Sequence, residues 1–215
     1  TAGTLTLGSL SKIYGNVITS INTSVIGNIT IGGAAGDVGA ITSAGAIGNL
    51  TIAGDVTGNM TGTSIGDLTL GTNAATTTVT GNITASTGSI GTINEVAAGA
   101  TVNISGNLNA ATQIGIIGGS APVNTLSGSI TAGTTVNAIT TVGAITGAIQ
   151  GQTVGAITTT NSNVTGGITA SGGAGTVGII NIGSGSLGAV TASGTTGSIG
   201  AITCGAISGN LSATD

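Results

Sequence analysis

The sequence predicts an all-β protein, a parallel β-helix (β-solenoid) of about ten coils of roughly 21 residues. Three observations carry that expectation: two short motifs that alternate at one common period, a composition that favours strands over helices, and a near absence of charge and aromatic rings.

The first motif reads aliphatic-Gly-x-aliphatic-Thr-aliphatic. Its clearest copies are Ile26-Gly27-Asn28-Ile29-Thr30-Ile31, Ile47-Gly48-Asn49-Leu50-Thr51-Ile52 and Ile65-Gly66-Asp67-Leu68-Thr69-Leu70. With looser copies included, its anchors fall at 8, 27, 48, 66, 91, 115, 137, 155, 178 and 200. Nine steps from Gly8 to Gly200 give a mean period of about 21.3 residues.

The second motif, aliphatic-Thr/Ser-Gly-x-aliphatic-Thr/Ser-Ala, lies between these copies, as in Val79–Ala85, Leu126–Ala132 and Val164–Ala170. Its central glycines run from Gly15 to Gly209 with a mean period of about 21.6 residues. Independent domains would not keep two motifs in phase through ten alternations. Residues 1–215 are therefore expected to form a single solenoid domain without an internal boundary.

Each part of the coil follows from its residues. The second motif alternates with period two, which places Val79, Gly81, Ile83 and Ala85 on the inner face of a strand and Thr80, Asn82 and Thr84 on the outer one. The first motif breaks alternation at its Gly-Asn pair. Gly, Asn and Asp tolerate left-handed backbone angles, so the pair is expected to be a corner. A helix is disfavoured because Gly, Thr, Val, Ile and Asn are weak helix formers and no apolar stripe runs at helical spacing.

One coil of this length buries too little apolar surface to stand alone, so coils must stack and pair in parallel about 4.8 Å apart, giving a rod roughly 48 Å long. The crossover preference of parallel strands points to a right-handed solenoid. Extra residues around Asn73–Thr77 and Glu95–Ala100 are expected to be external loops.

Composition narrows the function. The 215 residues include 43 Gly, one Tyr and no Phe or Trp, so the core must be aliphatic and thin. Lys12 is the only base, the acids are Asp37, Asp55, Asp67, Glu95 and Asp215, and the formal net charge is −4. Nucleic-acid binding needs several cations against phosphate, and anionic membranes need a basic patch, so neither partner is expected. No apolar run reaches the ~20 residues of a transmembrane helix.

No catalytic site, cofactor site or metal site is expected. Proton transfer and charge stabilisation cannot be assembled from one Lys and five scattered acids without His or Arg. Asp67 shares its slot with Asn28 and Asn49 and is read as a corner residue. Asp37 and Asp55 could stand in adjacent coils, but two carboxylates make a poor cation site. Gly183-Ser184-Gly185-Ser186-Leu187-Gly188 matches a dinucleotide-binding pattern without the helix that pattern requires. Gly32–Asp37 lacks calcium-repeat spacing, and Cys204 falls in the apolar slot of Ile31, Ile52 and Leu70. Eight Asn-x-Ser/Thr sequons, at Asn22, Asn28, Asn49, Asn59, Asn82, Asn103, Asn163 and Asn210, arise from the repeat, and corner asparagines are poorly placed to carry glycans.

Outward hydroxyls should form two ranks. One holds Thr57, Thr80, Ser105, Ser127, Thr146, Thr165 and Ser208; the other holds Thr61, Thr84, Asn109, Thr131, Thr169, Thr191 and Ser212, interrupted by Gln150. Leu187 is expected to interrupt the ranks as well. Flat ranks of Thr resemble those of ice-binding proteins, which makes ice or surface binding the alternative function.

The segments IGNLTIAGDVTGNMTG and VTGNITASTGSIG resemble the Gly/Thr-rich right-handed β-helix regions of bacterial surface and secreted proteins: adhesin stalks, autotransporter-like passengers and surface-layer-like proteins. The resemblance covers essentially the whole chain. It implies a structural role as spacer, fibre or display scaffold, outside the cell or on its surface, with possible cell-surface or glycan contact.

The repeat is under way at Leu5-Thr6-Leu7-Gly8 and still in register at Ile207–Ser212, with no capping segment. The expected partner is therefore the chain itself, stacked head to tail into a filament or sheet, with Lys12 of one copy approaching Asp215 of the next.

Overall fold

The computed structural model describes residues 13–14, 21–23, 25–32, 37–72, 76–96 and 99–214. All regular elements among them are strands of two to four residues, every strand pairing is parallel, and no helix occurs among them. The fold is a parallel β-solenoid of about 8 coils of ~22 residues.

The expected count of ten is thus revised. Motif copies mark the boundaries of turns and so outnumber the complete turns they enclose. The earliest copies, at Leu5–Gly8 and Gly15, also lie outside the described residues. At about 4.8 Å per step, the nine steps of its longest ladder make the described rod roughly 43 Å long.

Each coil contributes to four ladders. One is continuous over ten strands, from Ile21–Thr23 to Leu211–Ala213. A second starts at Ile13–Tyr14 and Ile29–Gly32 and continues through Ile117 to Ile202–Thr203. A third runs from Val38 through Thr76–Val79 to Ala206–Ile207, and the fourth from Ile26 through Gln113–Ile114 to Ser198–Ile199.

Both motifs stay in register across the coils. Gly48 N donates to Ile26 O at 2.8 Å, Gly66 N to Ile47 O at 2.9 Å and Gly91 N to Ile65 O at 2.9 Å, and the pattern continues to Gly200 N on Val177 O. Parallel pairing with aliphatics inside builds a continuous core. Ile29, Leu50, Leu68, Ile93, Ile117, Ile139, Ile157 and Ile180 form one of its columns, with at most 1 % exposure. The thin aliphatic core expected from the lack of aromatic residues is what the chain builds.

The corners differ from expectation in three respects. First, both motifs bend. Val79, Gly81, Ile83 and Ala85 all face inward, but Thr76–Val79 and Ile83–Ala85 are separate strands joined through a bend at Gly81. Second, left-handed backbone is not what selects the corner residues. Positive φ is confined to Asn161 and to Gly71, Gly99, Gly118, Gly172, Gly173, Gly175 and Gly183 among the described residues, and none of these is a motif anchor. At most anchor glycines the backbone of the preceding coil fills the space a Cβ would occupy, as at Gly106 above Gly81, although Asn137 shares the first-motif slot.

Third, the external loops are shorter than expected. Asn73–Ala75 fall outside the described residues, but Thr76 and Thr77 lie in a strand, and Glu95 ends the strand Ile93–Glu95 with its side chain buried.

Candidate functional site

The chemistry-bearing side chains are distributed along the corners and outer faces, so each is described by what it touches. Corner asparagines and aspartates form ladders parallel to the rod. Asn28 Oδ1 accepts the N–H of Asn49 at 2.9 Å, Asn49 Oδ1 that of Asp67 at 2.9 Å, and Asp67 Oδ1 that of Thr92 at 2.8 Å. A second ladder runs from Asn59 to Asn82 N, from Asn82 to Asn107 N and from Asn107 to Ser129 N, each at 2.9 Å. The shared slot of Asp67 with Asn28 and Asn49 has a physical basis: a single side-chain oxygen caps an otherwise unpaired N–H of the next coil.

Asp37 and Asp55 do stand in adjacent coils. Asp37 Oδ1 accepts from Asp55 N at 2.8 Å, and Asp55 Oδ1 from Thr78 N at 2.7 Å, so each carboxylate caps the following coil as the asparagines do. No group of three or more His, Cys, Asp or Glu residues that could hold a metal ion occurs among the described residues. Lys12 and Asp215 lie outside the described residues, as do Gly33–Gly36 of the Gly32–Asp37 segment.

Glu95 occupies the interior slot that holds Leu70 in the preceding coil, paired with it in register, and is 8 % exposed. Its Oε2 accepts the Val102 N–H at 3.3 Å. Burial away from water raises its pKa above the ordinary value of about 4.5, and the Val102 N–H opposes part of that rise. The same slot holds Thr141, Thr159 and Cys204 in later coils. Thr141 Oγ1 donates to Gly143 O, and Thr159 Oγ1 to Ser162 O, both at 2.7 Å, which makes these hydroxyls turn braces. Cys204 is half-buried and packs against the core, in keeping with its expected apolar role.

Gly183–Gly188 forms a turn at positive φ on Gly183 followed by the strand Ser186–Leu187, so it belongs to the coil wall. Among the sequon asparagines, Asn28, Asn49, Asn59, Asn82 and Asn163 use Oδ1 as an inter-coil acceptor. Asn103 Oδ1 accepts from Asn124 Nδ2 at 2.8 Å and Thr125 Oγ1 at 2.7 Å.

The two hydroxyl ranks differ in part: several hydroxyls of the first bind the protein, while Ser127, Thr146 and Thr165 of the same rank are exposed. In the first, Thr57 Oγ1 donates to Val38 O at 3.1 Å, Ser105 Oγ to Val79 O at 3.2 Å and Ser208 Oγ to Leu187 O at 3.0 Å. These hydroxyls bind the coil below them. Leu187 does not interrupt this rank, because it is a fully buried core residue paired with Val164. Its coil runs directly from Leu187 through Gly188 and Ala189 to Val190 and has no residue in the hydroxyl slot.

The second rank forms the outer face of the ten-strand ladder. Thr61 pairs with Thr84, Thr84 with Asn109, Asn109 with Thr131, Thr131 with Gln150 and Gln150 with Thr169. Its side chains face solvent.

The polar ladders were missed as a device by sequence reasoning. The signal that reveals them is the recurrence of Asn or Asp at one slot a full period apart. In comparisons with known proteins, no family model, no curated protein and no solved structure matches the chain.

Proposed function

We propose that the chain is a structural β-solenoid of the bacterial surface or extracellular kind, a non-catalytic rod that stacks end to end with further copies of itself into a filament or surface layer. The observation that carries this reading is that its chemically capable side chains serve coil-on-coil cohesion. Asp37, Asp55, Asp67 and the corner asparagines cap the N–H groups of the next coil, and Thr57, Thr80, Ser105 and Ser208 of the first hydroxyl rank donate to carbonyls of the preceding one.

The last described coil shows which side chains an end-on contact would cover. Ile207 is 51 % and Leu211 42 % exposed, whereas their ladder partners one coil earlier, Leu187 and Val190, are fully buried. A further coil would bury them and pair the open edge of Leu211–Ala213. A head-to-tail contact of this kind does not close on itself and propagates as a fibre.

Electron microscopy and sedimentation of the native material test the proposal, with filaments one solenoid wide as the expected result. Monomers at high concentration, or a longer gene product whose own coils cover Ile207 and Leu211, would overturn it. Turnover of an acidic glycan by the purified protein would overturn the non-catalytic part.

One observation favours ice or surface binding as a second reading: the side chains of the second rank, such as Thr84, Thr131 and Thr169, carry no hydrogen bond to the protein and repeat at the strand spacing. Thermal hysteresis lost on replacing Thr84 and Thr131 by Lys would establish that reading; its absence in the native protein would remove it.

A further inference from the structure

The corner after the first-motif anchors changes character half-way along the rod. Asn49, Asp67 and Thr92 stand in one column, since their carbonyls accept the N–H groups of Ile29, Leu50 and Leu68 in the preceding coil. The same bonding places Ile116, Ala138, Ala156 and Ile179 further along that column, through Ile93, Ile117, Ile139 and Ile157.

In the first part the column is polar and braced: each residue's own N–H is capped by the Asn or Asp one coil earlier at 2.8–2.9 Å. From Ile116 onward the column holds no acceptor side chain. That brace is given up, and aliphatic surface faces water instead. Ile116 is 42 % and Ile179 58 % exposed, Ala156 is exposed and Ala138 half-buried. The charge pattern changes at nearly the same point. Asp37, Asp55, Asp67 and Glu95 precede it, and no charged residue occurs from Val96 to Thr214.

We propose that this column is a lateral contact between two copies of the chain packed antiparallel, with Ile116 of one copy beside Ile179 of the other and Ala138 beside Ala156. Read along the rod from Ile116, the column is Ile-Ala-Ala-Ile and then Ala201, whose carbonyl accepts the Ile180 N–H, at about 4.8 Å per step; a two-fold axis between Ala138 and Ala156 maps the first four residues onto themselves and sets the exposed Ala201 beside Thr92. The alanines let the backbones approach, and each isoleucine finds an isoleucine.

Charge selects the orientation. A parallel, in-register pair would set Asp67 of one copy against Asp67 of the other along the same column. The antiparallel pair places the two acidic segments at opposite ends and overlaps only uncharged surface. The flanks are neutral as well, with Thr140 and Thr158 on one side and Thr135 and Thr153 on the other. The exposed ridge is narrower than the ~800 Å² per partner of a standard stable interface, so the dimer forms at high concentration and dissociates on dilution. An isologous contact closes at two copies and leaves the rod ends free, so it does not depend on end-on stacking.

Sedimentation equilibrium of the full chain over a wide concentration range tests the pairing. The expected result is a reversible monomer–dimer equilibrium that is abolished in the Ile116→Asn/Ile179→Asn variant. Asn49 occupies this slot in an early coil, so the variant is expected to keep its circular dichroism and melting temperature.

Orientation is read by mixing chains carrying Ile116→Cys with chains carrying Ile179→Cys, both in a Cys204→Ser background. Disulfide-linked dimers are expected in the mixture and not in either chain alone, because the two positions are three coils, roughly 14 Å, apart along each rod. A wild-type monomer at every concentration, a double-Asn variant that still dimerises, or cross-links within a single-variant sample would overturn the proposal. Larger species that persist unchanged in the double-Asn variant would report end-on stacking and argue against the lateral contact.

Discussion

Gly166 sits directly on Gly147 of the preceding coil, so close that a Cβ on Gly166 would fall within the van der Waals envelope of the Gly147 carbonyl oxygen. Its neighbour Gly167 has no atom within 4 Å of the position a Cβ would take. Neither has a positive φ. Gly166→Ala is therefore expected to destabilise the rod by about 1–3 kcal/mol, by forcing two coils apart. Gly167→Ala should stay within about 0.5 kcal/mol of the parent. Urea denaturation of the two variants side by side checks this, and equal midpoints would show that backbone clash is not what fixes these glycines.

Asp67 tests the corner ladder. Asp67→Asn keeps an oxygen for the Thr92 N–H and is expected to leave stability nearly unchanged, whereas Asp67→Ala leaves that N–H to water and should cost about 1 kcal/mol. The check is the difference in melting temperature between the two variants.

Glu95 makes stability depend on pH in a defined direction. Its folded pKa lies above its unfolded value of about 4.5, so the folded chain binds more protons than the unfolded chain in the window between the two. The contribution of Glu95 is therefore most favourable at acid pH and is lost as pH rises through the folded pKa. Glu95→Gln retains an acceptor for the Val102 N–H and removes the buried charge. Relative to wild type, the variant should gain stability at pH 7 and lose that advantage as pH falls towards 4.5. Denaturation of both proteins across that range measures it; a constant offset would show that the carboxylate is solvated.

Ile130 probes the core. It is fully buried between Leu108 and Ile149 in the ten-strand ladder, and Ile130→Ala should cost about 2–5 kcal/mol. Because each coil contacts only its neighbours, the loss should also reduce the cooperativity of unfolding. Hydrogen exchange would then show faster opening around Ile130 than at coils far along the rod.

Ser105 separates the two hydroxyl ranks. Its Oγ donates to Val79 O, whereas the Thr131 side chain faces solvent, so Ser105→Ala is expected to lose about 0.5–1 kcal/mol and Thr131→Ala less in hydrogen bonding. Equal losses in thermal melts would remove the distinction.

The coil period, the parallel strands, the inward set of Ile, Leu and Val and the common slot of Asn28, Asn49 and Asp67 could all be read from the sequence. Recurrence at a fixed period is a one-dimensional signal, and alternation along a strand maps directly to inside and outside. Contacts between coils could not be read, because they join residues about a full period apart whose partner is chosen by three-dimensional register.

Only the stacked structure shows that Gly81 and Gly106 are glycines for want of space and not for backbone freedom, since the obstruction belongs to another coil. Only the stack shows that Leu187 is core, since its corner is one residue shorter than that of Val164. The interior slot of Leu70 accepts Glu95, Thr141 and Thr159 because a backbone N–H or carbonyl of an adjoining turn lies within reach of each. The sequence by itself determined which face of each strand is apolar. The tertiary structure decided which polar groups are engaged, because a hydrogen bond depends on distances of a few tenths of an ångström that no periodicity encodes.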